Sequence, residues 1–167
     1  MKPLHLPLLG FLGLIASCGN FEGSTLIECP SATQFAAVSP VLEKRCGSLD
    51  CHGSIGRPLL IQGQNGLRYM DNLTGAGGGD SGVEATTDAE RNENRRSVCG
   101  LEPERTGEVV RGTLEPRDLM ILRKPLLIER HKGGQLLLKG GAGDACIESW
   151  LRGDVDTAEC ALAISLP

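Results

Sequence analysis

The chain has 167 residues, with 17 basic and 21 acidic side chains and a formal net charge of −4. This mildly acidic balance without a basic run argues against nucleic acid as a partner. The length fits one domain with a modest core, and because only 3% of the residues are aromatic, a buried cofactor would supply bulk that the side chains lack.

The amino terminus has the pattern of an export signal. Lys2 precedes an apolar run that is too short to cross a bilayer as a helix, and the run ends in small residues followed by Cys18. This ending resembles the lipobox of bacterial lipoproteins, which implies lipidation of Cys18. We therefore expect residues 1–17 to be a lipoprotein signal peptide, residues 18–30 a lipidated tether and residues 31–167 the domain.

The position after Cys18 holds Gly19 rather than aspartate, and by the same resemblance this favours an anchor in the outer membrane, facing the periplasm. The alternative is simple secretion, with Cys18 left in the discarded signal. Both routes lead to an oxidising compartment, in which thiols tend to pair.

The first predicted helix begins after Ser31, which forms a capping-box pattern with Gln34. Apolar residues then recur at helical spacing. Pro40 leaves two alternatives, a kink in one helix or a second helix capped by Ser39. In both cases the chain delivers Cys46 directly from a helix end.

The most distinctive segment is Cys46-Gly47-Ser48-Leu49-Asp50-Cys51-His52. Two cysteines followed by a histidine suit covalent haem attachment, since each thiol can add to a haem vinyl group while the imidazole is held against the iron. The common attachment motif has two residues between its cysteines, whereas this segment has four. The motif therefore predicts haem attachment with a variant spacing.

The middle of the chain predicts one short helix between loops. Residues 53–68 are broken by glycine and predict a loop with a short extended piece. Thr87 and Glu90 form a second capping box, and a charged, solvated helix should run from there through Val98. Residues 101–115 are rich in acids and predict a solvated loop.

The last third contains an apolar run over residues 119–122, a glycine-rich turn around His131 and the clearest predicted helix. We expect Asp144 to cap that helix, Trp150 to lie on its buried face and Gly153 to terminate it.

Six cysteines follow Cys18, namely Cys29, Cys46, Cys51, Cys99, Cys146 and Cys160. If the two cysteines of the motif bind haem, the other four allow three pairings. We expect a disulfide between Cys146 and Cys160, because they flank a helix end and closing that loop stabilises by about 3 kcal/mol in the chain-entropy model. Cys29 with Cys99 then follows by elimination.

Three further segments carry a family resemblance. Residues 35–42 read Phe-Ala-Ala-Val-Ser-Pro-Val-Leu, residues 122–125 end in Lys-Pro, and a histidine turn at 131–134 precedes a helix that ends in Trp-Leu-Arg-Gly at residue 153. Together with the cysteine motif, this arrangement resembles single-domain cytochromes c, in particular the exported cytochrome-like domains of planctomycetes and myxobacteria. The resemblance covers about residues 31–153.

The resemblance implies an all-α, cytochrome c-like domain with long irregular loops and one covalently bound c-type haem. Cys46 and Cys51 would form the thioethers, and His52 would be the proximal ligand of the iron. His131 occupies the place of the distal methionine turn and is the expected distal ligand, with Met120 as the alternative. The implied function is single-electron transfer to an unknown redox partner, without catalysis.

Three other interpretations stay open. The domain could lack haem, with Cys46 and Cys51 in a third disulfide and a binding or envelope-structural role. Zinc could bind both thiolates together with His52 and His131, although an oxidising compartment disfavours this. A haem sensor or peroxidase-like enzyme would need an open iron site. The candidate cationic partners of haem propionates are Arg57, Arg68 and Lys124.

Overall fold

The computed structural model describes residues 27–64, 66–69 and 84–166. The expected signal peptide, with Cys18 and most of the tether, lies outside these ranges. The described residues form helices and loops, and their only β-type pairing is an isolated bridge between Gln62 and Leu67. The all-α class predicted from the sequence is confirmed.

The helices of the described residues are α1 (Ala32–Cys46), α2 (Asp88–Leu101), α3 (Pro103–Val110), α4 (Met120–Arg123), α5 (Ala142–Leu151) and α6 (Thr157–Ser165). A 3-10 turn at Pro116–Asp118 precedes α4.

The core forms where α1 packs against α2, α5 and α6. Trp150 of α5 is fully buried against Phe35 of α1, with ring centroids 4.8 Å apart. The Trp150 indole Nε1 donates a hydrogen bond of 3.0 Å to the backbone oxygen of Ser31, so its polar edge is satisfied inside the core. These contacts fix the start of α1 and thereby the line along which α1 reaches Cys46.

Two helix starts follow the predicted caps. The Ser31 hydroxyl accepts a hydrogen bond from the backbone N–H of Gln34, and Thr87 and Glu90 form a reciprocal capping box. Pro40 lies inside one continuous helix, so the alternative of a second helix capped by Ser39 is wrong.

The acid-rich residues 101–115 do not form a loop throughout, because they contain α3. Pro103 occupies the first turn of α3, where its missing N–H costs nothing, and Val109 is buried. Glu102 is also not solvated as expected. Its carboxylate accepts a hydrogen bond from the backbone N–H of Met120 and pairs with Arg123, which ties α4 to the α2–α3 junction.

Asp144 is not the cap of α5, because that helix begins earlier, after Gly141. The Asp144 side chain is fully buried. It accepts one hydrogen bond of 2.7 Å from the backbone N–H of Gly140 and one of 2.9 Å from the Arg117 guanidinium. A further helix, α6, follows α5 and was not predicted. Its cap is Asp156, which accepts hydrogen bonds from two backbone N–H groups.

Both expected disulfides are present. Cys29 and Cys99 have Cα atoms 5.8 Å apart, and Cys146 and Cys160 have Cα atoms 4.7 Å apart. Arg95 adds a hydrogen bond of 2.9 Å to the backbone oxygen of Pro30, so the chain is fastened to α2 just before α1 begins. Within the described ranges, no helix is both long enough and apolar enough to span a membrane.

Candidate functional site

The variant spacer of the cysteine motif folds into a closed turn at the end of α1. The backbone N–H groups of Cys51 and Gly53 both donate to the oxygen of Ser48, and the N–H of His52 donates to the oxygen of Cys46, each at 2.9 Å. The four residues between the cysteines are therefore taken up by this turn, which returns His52 to the last residue of α1.

Glycine is required where this turn closes. A Cβ atom at Gly53 or at Gly66 would overlap the backbone oxygen of Gly47. The backbone oxygen of His52 accepts a hydrogen bond of 2.8 Å from the N–H of Ile61, which is a fully buried residue. The backbone on both sides of His52 is thus held before any ligand binds.

The His52 ring is oriented by a hydrogen bond of 2.9 Å between Nδ1 and the backbone oxygen of Leu59. A carbonyl oxygen only accepts, so in the neutral ring Nδ1 carries the proton and Nε2 keeps its lone pair. Burial lowers the pKa of His52, the bond to Leu59 opposes this, and the nearby His131 and Arg57 lower it further. The imidazole is consequently neutral at pH 7 and available as a ligand.

His131 is held in the same way from another part of the chain. Its Nδ1 lies 2.8 Å from the backbone oxygen of Gly134. In return, the N–H of Gly134 donates a hydrogen bond of 3.1 Å to the backbone oxygen of His131. Gly134 has φ +78°, a conformation that favours glycine. This four-residue turn gives His131 the same tautomer as His52, with the proton on Nδ1 and the lone pair on Nε2.

The two imidazoles face a common space. Their planes are within 5° of parallel and their ring centroids are 6.4 Å apart. A metal ion bonded at about 2 Å to one nitrogen of each ring would place the centroids roughly 6 Å apart. The centroid separation of the pair therefore fits two imidazoles that hold one metal ion between them.

Two cavities flank this pair, and both are lined by His52 and His131. The first, called the apolar cavity, has a volume of about 310 Å³. Its other walls are Cys46, Pro58, Leu59, Leu101, Met120, Ile121, Lys124 and Pro125. The second, called the polar cavity, has a volume of about 280 Å³. It is completed by Asp50, Cys51, Arg57, Lys132, Gly133 and Leu136.

Cys46 and Cys51 are free thiols, while the four other described cysteines are paired. Cys46 is buried at the edge of the apolar cavity, and burial, helped by Cys51 and opposed by Arg45, raises its pKa to about 12. Cys51 is partly exposed beside the polar cavity. The two thiols therefore reach the space around the histidines from different sides.

The sequence-predicted site residues are brought together, because Met120 also lines the apolar cavity with both histidines. The described residues contain no group of three or more His, Cys, Asp or Glu side chains arranged to hold a metal ion. The tetrahedral zinc interpretation needs four such groups and has no support in this geometry.

The predicted propionate partners differ in position. Arg57 lines the polar cavity, and Lys124 lines the apolar cavity while paired with Glu129 at 2.7 Å. Arg68 lines neither cavity and forms a buried ion pair with Glu90. Sequence reasoning missed Lys132, which lines the polar cavity as Arg57 does; its position next to His131 was the available signal.

Comparison of the sequence with protein-family models and curated proteins, and of the structure with solved structures, gives no significant match.

Proposed function

We propose that this chain is an electron-transfer protein with a cytochrome c-like fold that holds one covalently bound c-type haem. The observation that carries the proposal is the pair of parallel imidazoles 6.4 Å apart, each with Nδ1 bound to a backbone carbonyl. Such second bonds orient a ligating histidine and raise its basicity. The free thiols of Cys46 and Cys51 beside the same space support covalent attachment.

Each residue has a role in this proposal. Cys46 and Cys51 would hold the haem covalently: each sulfur would add to one vinyl group and the thiol proton would go to the other vinyl carbon, so that no group leaves. His52 is the proximal ligand and His131 the distal ligand, with Met120 as the alternative to His131. The bound haem supplies one iron that gains and loses a single electron.

Double ligation explains why electron transfer is preferred over catalysis. With both imidazoles on the iron, no position stays open for a substrate. Two histidine ligands should also give a lower reduction potential than a histidine and a methionine, because an axial methionine raises the potential. Carbon monoxide binding by the untreated reduced protein would instead favour a sensor or a peroxidase-like enzyme.

The proposal includes a location in the bacterial cell envelope, anchored through lipid on Cys18 and facing the periplasm. The Ala-Ser-Cys sequence at residues 16–18 supports it, and the two disulfides fit an oxidising compartment. Metabolic labelling with a fatty acid should mark the wild-type protein, and Cys18→Ser should abolish both the label and membrane retention.

The decisive experiment is expression of the full chain in cells that contain haem-attachment enzymes, followed by denaturing electrophoresis and haem staining. We expect haem to remain on the polypeptide, and Cys46→Ala/Cys51→Ala to remove it. Colourless protein with a third disulfide between Cys46 and Cys51 would overturn the proposal and support the haem-free envelope module.

A further inference from the structure

Charge is unevenly distributed along this chain. Residues 46–61 and 120–139 supply every residue lining the two cavities except Leu101. These segments contain six basic and two acidic residues, a net charge of +4, whereas the rest of the chain has eleven basic and nineteen acidic residues, a net charge of −8. The basic residues are Arg57, Arg123, Lys124, Arg130, Lys132 and Lys139, and the acidic ones are Asp50 and Glu129.

Four of these cations, Arg57, Arg130, Lys132 and Lys139, are free of ion pairs in the described part of the chain. Arg57 and Lys132 are exposed residues of the polar cavity wall, and Arg130 is exposed next to His131. The one acidic residue of that wall is Asp50. Its backbone oxygen, not its carboxylate, accepts a hydrogen bond of 3.4 Å from Arg57. Unpaired exposed cations at one site attract an anionic group from outside the chain.

Exposed apolar side chains accompany the cations. Ile55, in the loop between His52 and Arg57, is 84% exposed. Leu127 and Ile128 are 48% and 57% exposed, at a bend where Leu127 has φ 57°. Apolar side chains with a charged rim are typical of a surface that another protein covers.

We propose that this face, defined by Ile55, Arg57, Leu127, Arg130 and Lys132, is the docking surface for an electron-transfer protein with an acidic contact surface. The inference rests on the proposed function, because an electron must leave through the part of the molecule closest to the histidine pair. Two haem propionates would reduce the local charge from +4 to about +2, still opposite in sign to the rest of the chain.

A protein fits this face better than an anionic lipid surface does. A membrane that covered the histidine pair would block the approach of a second redox centre. An acidic protein instead gains steering from the cations and brings its own electron acceptor or donor to the same place.

The first test measures oxidation of the reduced, haem-loaded protein by stopped flow. Ferricyanide, with charge 3−, and tris(phenanthroline)cobalt(III), with charge 3+, each take one electron from the ferrous iron. We expect Arg130→Glu to slow ferricyanide about threefold or more at low ionic strength, and to speed the cobalt complex, with both effects lost at high salt. Arg111→Glu is the matched control. It makes the same charge change at a separate groove, which Arg111 lines together with its ion-pair partner Glu28.

Equal rates for Arg130→Glu and Arg111→Glu would overturn the docking surface. A second measurement works even on protein without haem: binding to immobilised poly-L-glutamate, which Arg130→Glu should weaken more than Arg111→Glu. If haem is attached but the two variants bind poly-L-glutamate equally, the docking surface is refuted and the proposed function is not. If the protein is colourless but the variants still differ in binding, the haem proposal is refuted and the anion-binding face is not. Binding to phosphatidylglycerol vesicles without binding to poly-L-glutamate would assign the face to a membrane.

Discussion

At the scale of single residues, His52 and His131 are oriented by the same kind of bond, from Nδ1 to a backbone oxygen seven or three positions further along the chain. Neither carbonyl belongs to a long helix, so each ring depends on a local turn for its direction. In the proposed haem protein, a ring that is already fixed would lose little freedom on ligation, which favours a single ligation state.

The first prediction concerns the distal ligand. His131→Ala should remove the low-spin spectrum of the haem-loaded protein and let the reduced form bind carbon monoxide, because one axial nitrogen is lost. Met120→Leu keeps volume and apolarity in the same cavity and should leave the spectrum unchanged. The reverse pattern, with an effect of Met120→Leu only, would identify Met120 as the ligand.

The second prediction concerns the closed turn of the cysteine motif. Gly53→Ala should destabilise the protein by about 1–3 kcal/mol or more and lower haem incorporation, since the new Cβ would overlap the Gly47 oxygen. Gly100→Ala is the matched control, because nothing lies within 4 Å of its Cβ position in α2. That change should be neutral or stabilising, by up to about 1 kcal/mol. Urea unfolding of both variants measures the difference, and equal stabilities would contradict the prediction.

At the scale of elements, α2 presents the same residue type to two different environments. Glu90 is fully buried and receives two hydrogen bonds from Arg68, at 2.7 and 2.9 Å, and one of 3.1 Å from the N–H of Tyr69. Glu93, one turn along, forms a pair with Arg96 at the surface. The buried pair connects α2 to the segment after the cysteine motif.

The third prediction follows from this contrast. Glu90→Gln leaves the Arg68 guanidinium without its carboxylate in a buried setting and should cost about 3–5 kcal/mol of unfolding free energy. Glu93→Gln, the same substitution in the same helix, should cost less than about 1 kcal/mol. Chemical denaturation measures both. A loss for Glu90→Gln as small as that for Glu93→Gln would show that the buried pair adds little.

The elements also show what sequence reasoning reaches. Helices α1 and α2 were predictable because Ser31 and Thr87 place a side-chain acceptor at the start, and this signal is local. Helix α3 lacks a side-chain cap and buries Val109 as its one large apolar side chain, and α6 buries only Cys160 and Ala163, so neither helix offers several buried apolar residues to read from the sequence. Asp144 was misread because a buried carboxylate paired with Arg117 looks, in sequence, like a cap.

For the candidate site, the sequence identified the candidate ligand residues but not the backbone groups that orient their side chains. His52, His131 and both free cysteines are identifiable from their motif and turn. The carbonyls of Leu59 and Gly134, which fix the tautomers, belong to the backbone and leave no mark in residue type. The walls supplied by Pro58 and Leu101 depend on packing between distant segments, which spacing alone does not reveal.

At the scale of the whole molecule, the two disulfides act on loops of different length. Cys146 and Cys160 are 14 positions apart and join α5 to α6. Cys29 and Cys99 are 70 positions apart and enclose α1, the cysteine motif and most of α2 in one loop. The second bond therefore restricts far more of the unfolded chain, including the whole segment that delivers His52.

The fourth prediction is that the disulfide that closes the longer loop, Cys29–Cys99, contributes more stability than Cys146–Cys160. In the chain-entropy model, Cys146→Ala/Cys160→Ala should cost about 3 kcal/mol and Cys29→Ala/Cys99→Ala about 4.4 kcal/mol of unfolding free energy. Urea unfolding of both variants under oxidising conditions measures the difference. Repeating it with a reducing agent is the control, because loop closure is then absent and only the effect of lost sulfur packing remains. If the shorter loop proved the more stabilising under oxidising conditions alone, restriction of the unfolded chain could not be the main effect of these bonds, and local fastening of α6 onto α5 would take its place.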